Sequence, residues 1–462
     1  MPRSLLGLAA LALLGLAPAS AAAQGFQVNE HGTCVMGRAG VGTPKPCGDG
    51  SAIFYNPAGI GGMTGGTVSL GVTGIYAYGG FTDDYTGETT DLENPLVPVP
   101  HAYFTYGITP KLTAGFGFFV PYGLGTKWPD TFEGRFNGYD NDLRSMYFQP
   151  TLAFKVNDVI SVGAGFDFVL GSVELNQMLD LSEQPAPAPA PVGTTLGEVG
   201  IPFHTQFANA QIKATNATGF GGNFGVLVTP TPAISIGARY LSRVKLDYAG
   251  NAVFTQAPTG IVLPPANPFG APGGTPLDTV IAQLGVFETL LADQGGDASI
   301  TMPDQISVGL AVSPVESFTI MAEWQWVHWS LFDTLTLAFE NLGEKVIEEN
   351  YDNTNGFRFG LEWDAVRNMT FRGGYLYHQG AAPPETVTPL LPEGTRNEFT
   401  GGLGIRLTDR LAADLAYQYI RQNKRRGRVR EPLPGTSPTV ELNSGLYKFN
   451  AHLFGATLRF DF

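Results

Sequence analysis

Hydrophobic and polar residues alternate with a period of two along most of the chain, most regularly in the segment Leu446 to Phe462. There Phe454, Ala456, Leu458, Phe460 and Phe462 share one face, and Gly455, Thr457, Arg459 and Asp461 share the other. A strand needs this pattern when lipid wets one face and a polar lumen the other. The same register recurs upstream. Phe399, Leu403, Ile405 and Leu407 oppose Glu398, Thr400, Gly402 and Arg406, and Leu411, Ala413, Leu415, Tyr417 and Tyr419 oppose Arg410, Asp414 and Gln418. The apolar sets are predicted to face lipid.

The connections between strands fall into two alternating sets. Thr109-Pro110, Asn157-Asp158, Thr229 to Pro232, Ser313 to Glu316, Asp364 to Asn368 and Thr408-Asp409 are very short, whereas about 79–99, 121–142, 176–206, 250–300, 341–352, 379–396 and 421–445 are long. Tight turns at one rim and long loops at the other are the asymmetry of bacterial barrels. The connections delimit fourteen strands if 316–340 is one strand bent near Trp329-Ser330, and an even count leaves both ends in the periplasm. The predicted fold is all-β, a 14-stranded antiparallel transmembrane β-barrel over residues 65–462.

The start of the chain explains how such a barrel reaches its membrane. Arg3, the apolar run Leu5 to Leu16 and the small residues Ala19 to Ala23 read as a secretory signal peptide over 1–23. Nothing downstream reaches the roughly 18 apolar residues that a membrane-spanning helix needs, so strands must do the spanning. Residues 24–64 are rich in glycine, lack strand alternation and are too few for a domain, which suits a hatch that plugs the lumen. A lumen of fourteen strands is wider than its own side chains fill. Cys34 and Cys47 fall in this segment, and in an oxidising compartment they are predicted to form a disulfide. Within the long loops, 184–192 is a Pro-Ala tract, while Leu277, Val280, Ile281, Leu284, Phe287, Leu290 and Leu291 recur at helical spacing and predict an amphipathic helix over 275–293. That helix is either a lid on its own loop or an apolar surface that catches greasy ligand.

Composition narrows the function. A chain with 60 glycines, 31 phenylalanines and 15% charged residues suits aromatic-girdled strands, and a net charge of −14 argues against nucleic acid as a partner. The six histidines are scattered and no Gly-x-Ser-x-Gly elbow occurs, so no enzyme, cofactor or metal site is predicted. A diffusion porin is the rival within membrane proteins, but it would need an open lumen. A closed barrel has no free edge, so a monomer is expected, surrounded by outer-membrane lipid and lipopolysaccharide.

Particular residues then carry a likeness. Gly25 to Glu30, Gly37-Arg38-Ala39 and Asn56-Pro57-Ala58-Gly59 resemble the N-terminal hatch of the FadL/TodX family of outer-membrane transporters. Pro121 to Leu124, Trp128, Gly134-Arg135, Gln149 to Leu152, Glu323 to Ser330, Phe371 to Tyr375, Leu391-Pro392 and Arg396 are similar to later parts of that family, in order along more than 400 residues. The resemblance implies a bacterial outer-membrane location and passive uptake of hydrophobic small molecules, either fatty acids or hydrocarbons. It further implies capture at the outer loops, an internal apolar site beside the hatch, and lateral release into the membrane. By matching position it implies Phe26 as the aromatic at the internal site, and Asn56, Pro57, Ala58 and Gly59 as hatch residues near the wall opening. Where similar fatty-acid transporters place a Lys, this chain has Tyr351-Asp352-Asn353. Arg135 and Arg239 are the expected ligand-binding cations. Arg144, Arg243 and Arg358 are further candidates, each either a carboxylate partner or half of a structural ion pair.

Overall fold

Strands form where the sequence alternates, and fourteen of them close on themselves. The computed structural model describes residues 25–186, 193–429 and 445–462, so the signal peptide and most of the Pro-Ala tract lie outside the described residues. In chain order the strands are β1 (Gly66–Asp83), β2 (Val97–Gly107), β3 (Leu112–Lys127), β4 (Asp140–Lys155), β5 (Ile160–Asp180) and β6 (Gln206–Thr231). There follow β7 (Ile234–Leu241 and Val244–Gln256), β8 (Gln294–Met302 and Gln305–Val315), β9 (Phe318–Val327 and Thr334–Phe339) and β10 (Gly343–Glu348 and Thr354–Val366). The last four are β11 (Met369–His378), β12 (Arg396–Arg406), β13 (Leu411–Gln422, continued by Arg425–Gly427) and β14 (Gly445–Asp461). Each pairs antiparallel with its neighbour, and β1 pairs with β14 from Thr67↔Asp461 to Asp83↔Gly445, which seals the cylinder.

The predicted faces are the observed ones. Leu70, Phe399, Leu415, Phe454, Leu458 and Phe460 are exposed on the outside, whereas Glu398, Asp414, Gln418 and Thr457 are buried in the lumen. No helix among the described residues is long and apolar enough to cross a membrane. The segment 316–340 is one bent strand, its halves separated by the turn Trp329–Leu331. Two features differ from the sequence reading. The expected loop 341–352 is largely a hairpin, with Phe339↔Gly343 at its tip and Gly343 at φ 75° making the tight turn. The expected helix over 275–293 is only Leu277–Gln283, because Gly285 at φ 64° turns the chain out of the helix. Its Leu277, Val280 and Ile281 pack under the outer loops with Leu181, Phe207 and Leu291.

Residues 25–65 precede β1, and most of 25–60 is buried against inward-facing side chains of the barrel. Two short helices, α1 (Thr33–Met36) and α2 (Ala52–Tyr55), and the turn Pro57–Ile60 give the segment its shape. Cys34 and Cys47 are bonded, with 13 residues of separation. Closing a loop of this length contributes about 3 kcal/mol. The Cys34→Ser/Cys47→Ser variant is expected to keep its barrel yet expose residues 34–47 to protease, as limited digestion followed by mass spectrometry would show.

Ionic contacts fix the plug to the wall. Arg38 and Lys45 both reach Glu362 of β10, at 3.2 and 3.1 Å, and Arg372 of β11 links Glu362 (2.9 Å) to Asp414 (2.6 Å) of β13. Glu323 of β9 accepts hydrogen bonds from Gly42 N (3.1 Å) and Thr43 N (2.9 Å) and pairs with Arg358 at 2.8 Å.

Candidate functional site

The wall is interrupted beside β2. Its ladder with β3 runs only from Gly107↔Thr113 to Ala102↔Phe118, although β2 pairs with β1 as far as Val97. Residues 97–101 of β2 therefore have no partner strand on the β3 side. Pro98 and Pro100 lack N–H groups, a composition tolerated at a free edge and poorly in a central ladder. Across the gap, β3 has a register shift between Phe119 and Tyr122 that carries its backbone inward. The backbone groups there are satisfied by the hatch: Gly123 N donates to Phe26 O (3.0 Å) and Val28 N donates to Pro121 O (2.9 Å). The hatch thus takes the place of the missing strand at this point.

Behind the gap lies a cavity of about 470 Å³. Its apolar walls include Val97 and Val99 of β2, Val120 and Leu124 of β3, and Phe26 and Val28 of the hatch. Phe26 stands edge-on to Trp329 (4.9 Å), Phe332 (5.6 Å) and Tyr122 (6.2 Å), an aromatic cluster that orients its ring. Tyr351, which stands where the resemblance implies a Lys, is buried against Phe332 (5.0 Å). Gly25 holds φ 54° under the Trp329 ring, where a Cβ would lie 2.6 Å from Cζ2, so only glycine fits.

One end of this cavity is polar. Glu393, in the loop between β11 and β12, is buried and accepts hydrogen bonds from the backbone N–H groups of Gly25 (2.9 Å), Ala381 (2.7 Å) and Ala382. Burial pushes its carboxyl above the usual range, while Ala382 N–H, Arg396 and Gly25 N–H pull it down. The carboxylate ties the start of the hatch to an outer loop. Next to it Arg396 makes one long contact, 3.5 Å to Gly25 O, and among the described residues no carboxylate pairs with it. Nearby Glu398 is engaged by Gln418 and by His378 (3.2 Å), and Glu30 accepts from Gln418 (2.9 Å).

The expected site residues are distributed as follows. Phe26 lines the cavity; Arg135 and Arg239 do not. Arg135 binds Gln206 Oε1 (3.1 Å) and Phe132 O (2.8 Å) and stacks on Phe136, holding the β3–β4 loop together, and burial lowers its pKa. Arg239 is buried under the hatch, over the Phe54 ring at 4.2 Å, and donates to Asn223 (3.1 Å). Arg144 lines the cavity but pairs with Asp142 at 2.6 Å, and Arg243 faces Asp304 at 3.4 Å. The expectation that Asn56, Pro57, Ala58 and Gly59 lie near the wall opening is corrected. Asn56 donates to Thr43 O (2.8 Å) and Val226 O (3.1 Å), where Asn223 to Val228 of β6 are paired with both β5 and β7. Gly225 makes that approach possible, since a Cβ there would sit 2.0 Å from Asn56 Oδ1. The residues of β2 that do edge the opening, Val97 to Pro100, carry one legible signal: two prolines at alternate positions of an otherwise good strand.

A second cavity of about 520 Å³ lies among the outer loops, lined by Leu179, Leu181, Phe207, Phe254, Ile281 and Leu290 with further apolar residues. The short helix of 277–283, named α3 here, contributes both the lid packing and part of this apolar surface.

A fourteen-strand barrel with a lumenal plug, a wall gap and apolar cavities defines an outer-membrane transport protein. The model of the family described as outer membrane protein transport protein (OMPP1/FadL/TodX) matches residues 14–462, and the chain belongs to that family. It is similar to outer membrane protein P1 of Haemophilus influenzae (22% identity, covering 98% of each chain). It is also similar to the long-chain fatty acid transport protein of Salmonella typhi (25% identity, covering 95% of this chain and 94% of the other). Among solved structures, a Pseudomonas aeruginosa FadL homologue matches with TM-score 0.75 at 21% identity over 95% of this chain and all of the other. The Pseudomonas putida toluene transporter TodX matches with TM-score 0.67 at 18% identity over 94% and 98%.

Proposed function

We propose that this protein carries long-chain fatty acids passively across the outer leaflet barrier. Ligand is captured in the outer-loop cavity, passes to the inner cavity beside Phe26, and leaves sideways through the β2–β3 gap into the bilayer. The observation that supports this route most directly is that the inner cavity and the interruption in the wall share Val97 and Val99. A chain of methylenes gains about 0.8 kcal/mol per CH₂ on leaving water, so an apolar conduit ending in lipid needs no energy source. The carboxylate of the ligand is received by Arg396, which lines the polar end and has no carboxylate ion-pair partner among the described residues. Two relatives named as long-chain fatty acid or toluene transporters agree with an apolar cargo.

A second reading, uptake of neutral aromatic hydrocarbon, is favoured by the three carboxylates Glu30, Glu393 and Glu398 around the same end. The test is uptake of labelled oleate and of toluene by cells whose own transporter is deleted and replaced by this protein. Arg396→Gln is expected to weaken oleate binding about 10- to 100-fold, the worth of a charge-assisted hydrogen bond, and to leave toluene uptake unchanged. Equal loss of both cargoes would remove the head-group role, and no uptake of either would remove the transport route.

A further inference from the structure

We propose that the outward face of β13 and β14 holds a phosphorylated glycolipid of the outer leaflet, its phosphates taken by Arg421, Lys424, Arg426 and Lys448. The chain as a whole carries a net charge of −14, yet six of its 27 Lys and Arg residues fall within Arg421 to Arg430. The fold divides this basic run. Arg425 turns inward to Ala382 O and Arg428 is buried, whereas Arg421, Lys424 and Arg426 are exposed.

Strand register brings Arg421 and Arg426 into one patch, with the exposed Lys424 between them in the chain. Arg421 lies opposite Asn450, Arg426 lies opposite Leu446, and the exposed Lys448 stands between those two positions on β14. Same-face neighbours two residues apart are about 7 Å from one another, a spacing that two phosphates on one headgroup can bridge. Arg426 has Asp84 as a partner, while Arg421, Lys424 and Lys448 have no ion-pair partner among the described residues.

The height of the patch identifies its ligand. The next outward row toward the membrane is a band of aromatic side chains. Tyr419 and Tyr78 each stand 5.3 Å from the His452 ring, and Tyr417 Oη is 2.8 Å from His452 Nδ1. Such a belt sits at the level where acyl chains meet headgroups, so cations one row above it stand at the level of the lipid phosphates. A cation at a lipid-facing surface is costly until it finds a counter-charge, and a soluble anion would lack the acyl chains that pack on Phe454, Leu415 and Leu70 below.

The test measures retention of lipid A by the purified barrel in detergent, using native mass spectrometry, with bis-phosphorylated lipid A, its dephosphorylated form and inorganic phosphate as probes. The wild-type protein is expected to retain the bis-phosphorylated lipid, and Arg421→Gln/Lys424→Gln/Lys448→Gln to hold it about a hundredfold less tightly, roughly fivefold per cation. The charge-preserving Arg421→Lys/Lys424→Arg/Lys448→Arg variant is expected to retain it, which separates lost charge from lost fold. Heat-modifiable migration in gels confirms that each variant is a folded barrel, and single Gln variants replace the triple one if it does not fold. Substrate uptake by the triple variant is expected to be unchanged. Equal retention by the triple variant, or of the dephosphorylated lipid, would overturn the proposal. Displacement by millimolar inorganic phosphate as effective as that by the lipid would also overturn it, assigning the patch to a free anion.

Discussion

Exchange of Glu323 for Ala is expected to unplug the barrel, giving steady ion conductance in planar bilayers where the wild-type protein is nearly closed. The side chain is buried and does two things at once. One carboxylate oxygen neutralises Arg358, itself buried, at 2.8 Å, and the other receives the backbone N–H groups of Gly42 and Thr43. Removing one member of a buried pair leaves an uncompensated charge and costs about 3–5 kcal/mol. The hatch also loses two charge-assisted hydrogen bonds, each worth about 1.5–3 kcal/mol. Arg358 retains Gln325 Oε1 at 2.6 Å, which keeps it in the lumen wall, so the loss falls chiefly on the seating of the hatch. Glu323→Gln preserves an acceptor for the amides and should leak less than Glu323→Ala. Silent recordings from both variants would remove Glu323 as an anchor of the plug.

Cross-linking the wall gap is expected to abolish uptake without disturbing capture at the outer loops. Continuing the observed register beyond Ala102↔Phe118 brings Pro100 opposite Val120, two residues that flank the opening and line the cavity behind it. A Pro100→Cys/Val120→Cys protein, oxidised, would draw β2 to β3 across the opening. Labelled oleate should then bind but not reach the cell, and mild reductant should restore uptake, because Cys34 and Cys47 are buried in the hatch and shielded from it. Unchanged uptake in the fully oxidised protein would show that cargo leaves by another path.

Both expectations rest on features that the chain discloses unequally. The two-residue alternation of Leu411 to Tyr419 and of Phe454 to Phe462, and the tight turns such as Thr408-Asp409, were enough to count strands and tell lipid from lumen. These are local properties: each residue's face follows from its parity, and a turn from a few neighbours. The bend at Trp329-Ser330 was legible for the same reason. The helix of 275–293 was over-read because one left-handed glycine, Gly285, overrode a good apolar period.

The site was less legible, since its members meet across long stretches of chain. Glu393 reaches Gly25, and Arg396, three residues on at the start of β12, approaches that same residue. Arg135 and Arg239 looked equally eligible as cations, and only their partners Gln206, Asn223 and Phe54 assign them to structural work. Asn56-Pro57-Ala58, which the resemblance places near the wall opening, sits against the paired strands β5 to β7. By itself, then, the sequence determined the barrel and the lipid and lumen faces of its strands, because lipid and water sort side chains residue by residue. Where the wall stays open, which cations remain unpaired and how the plug is held were decided only by the tertiary structure, because each depends on which distant backbone and side-chain groups satisfy one another in the closed cylinder.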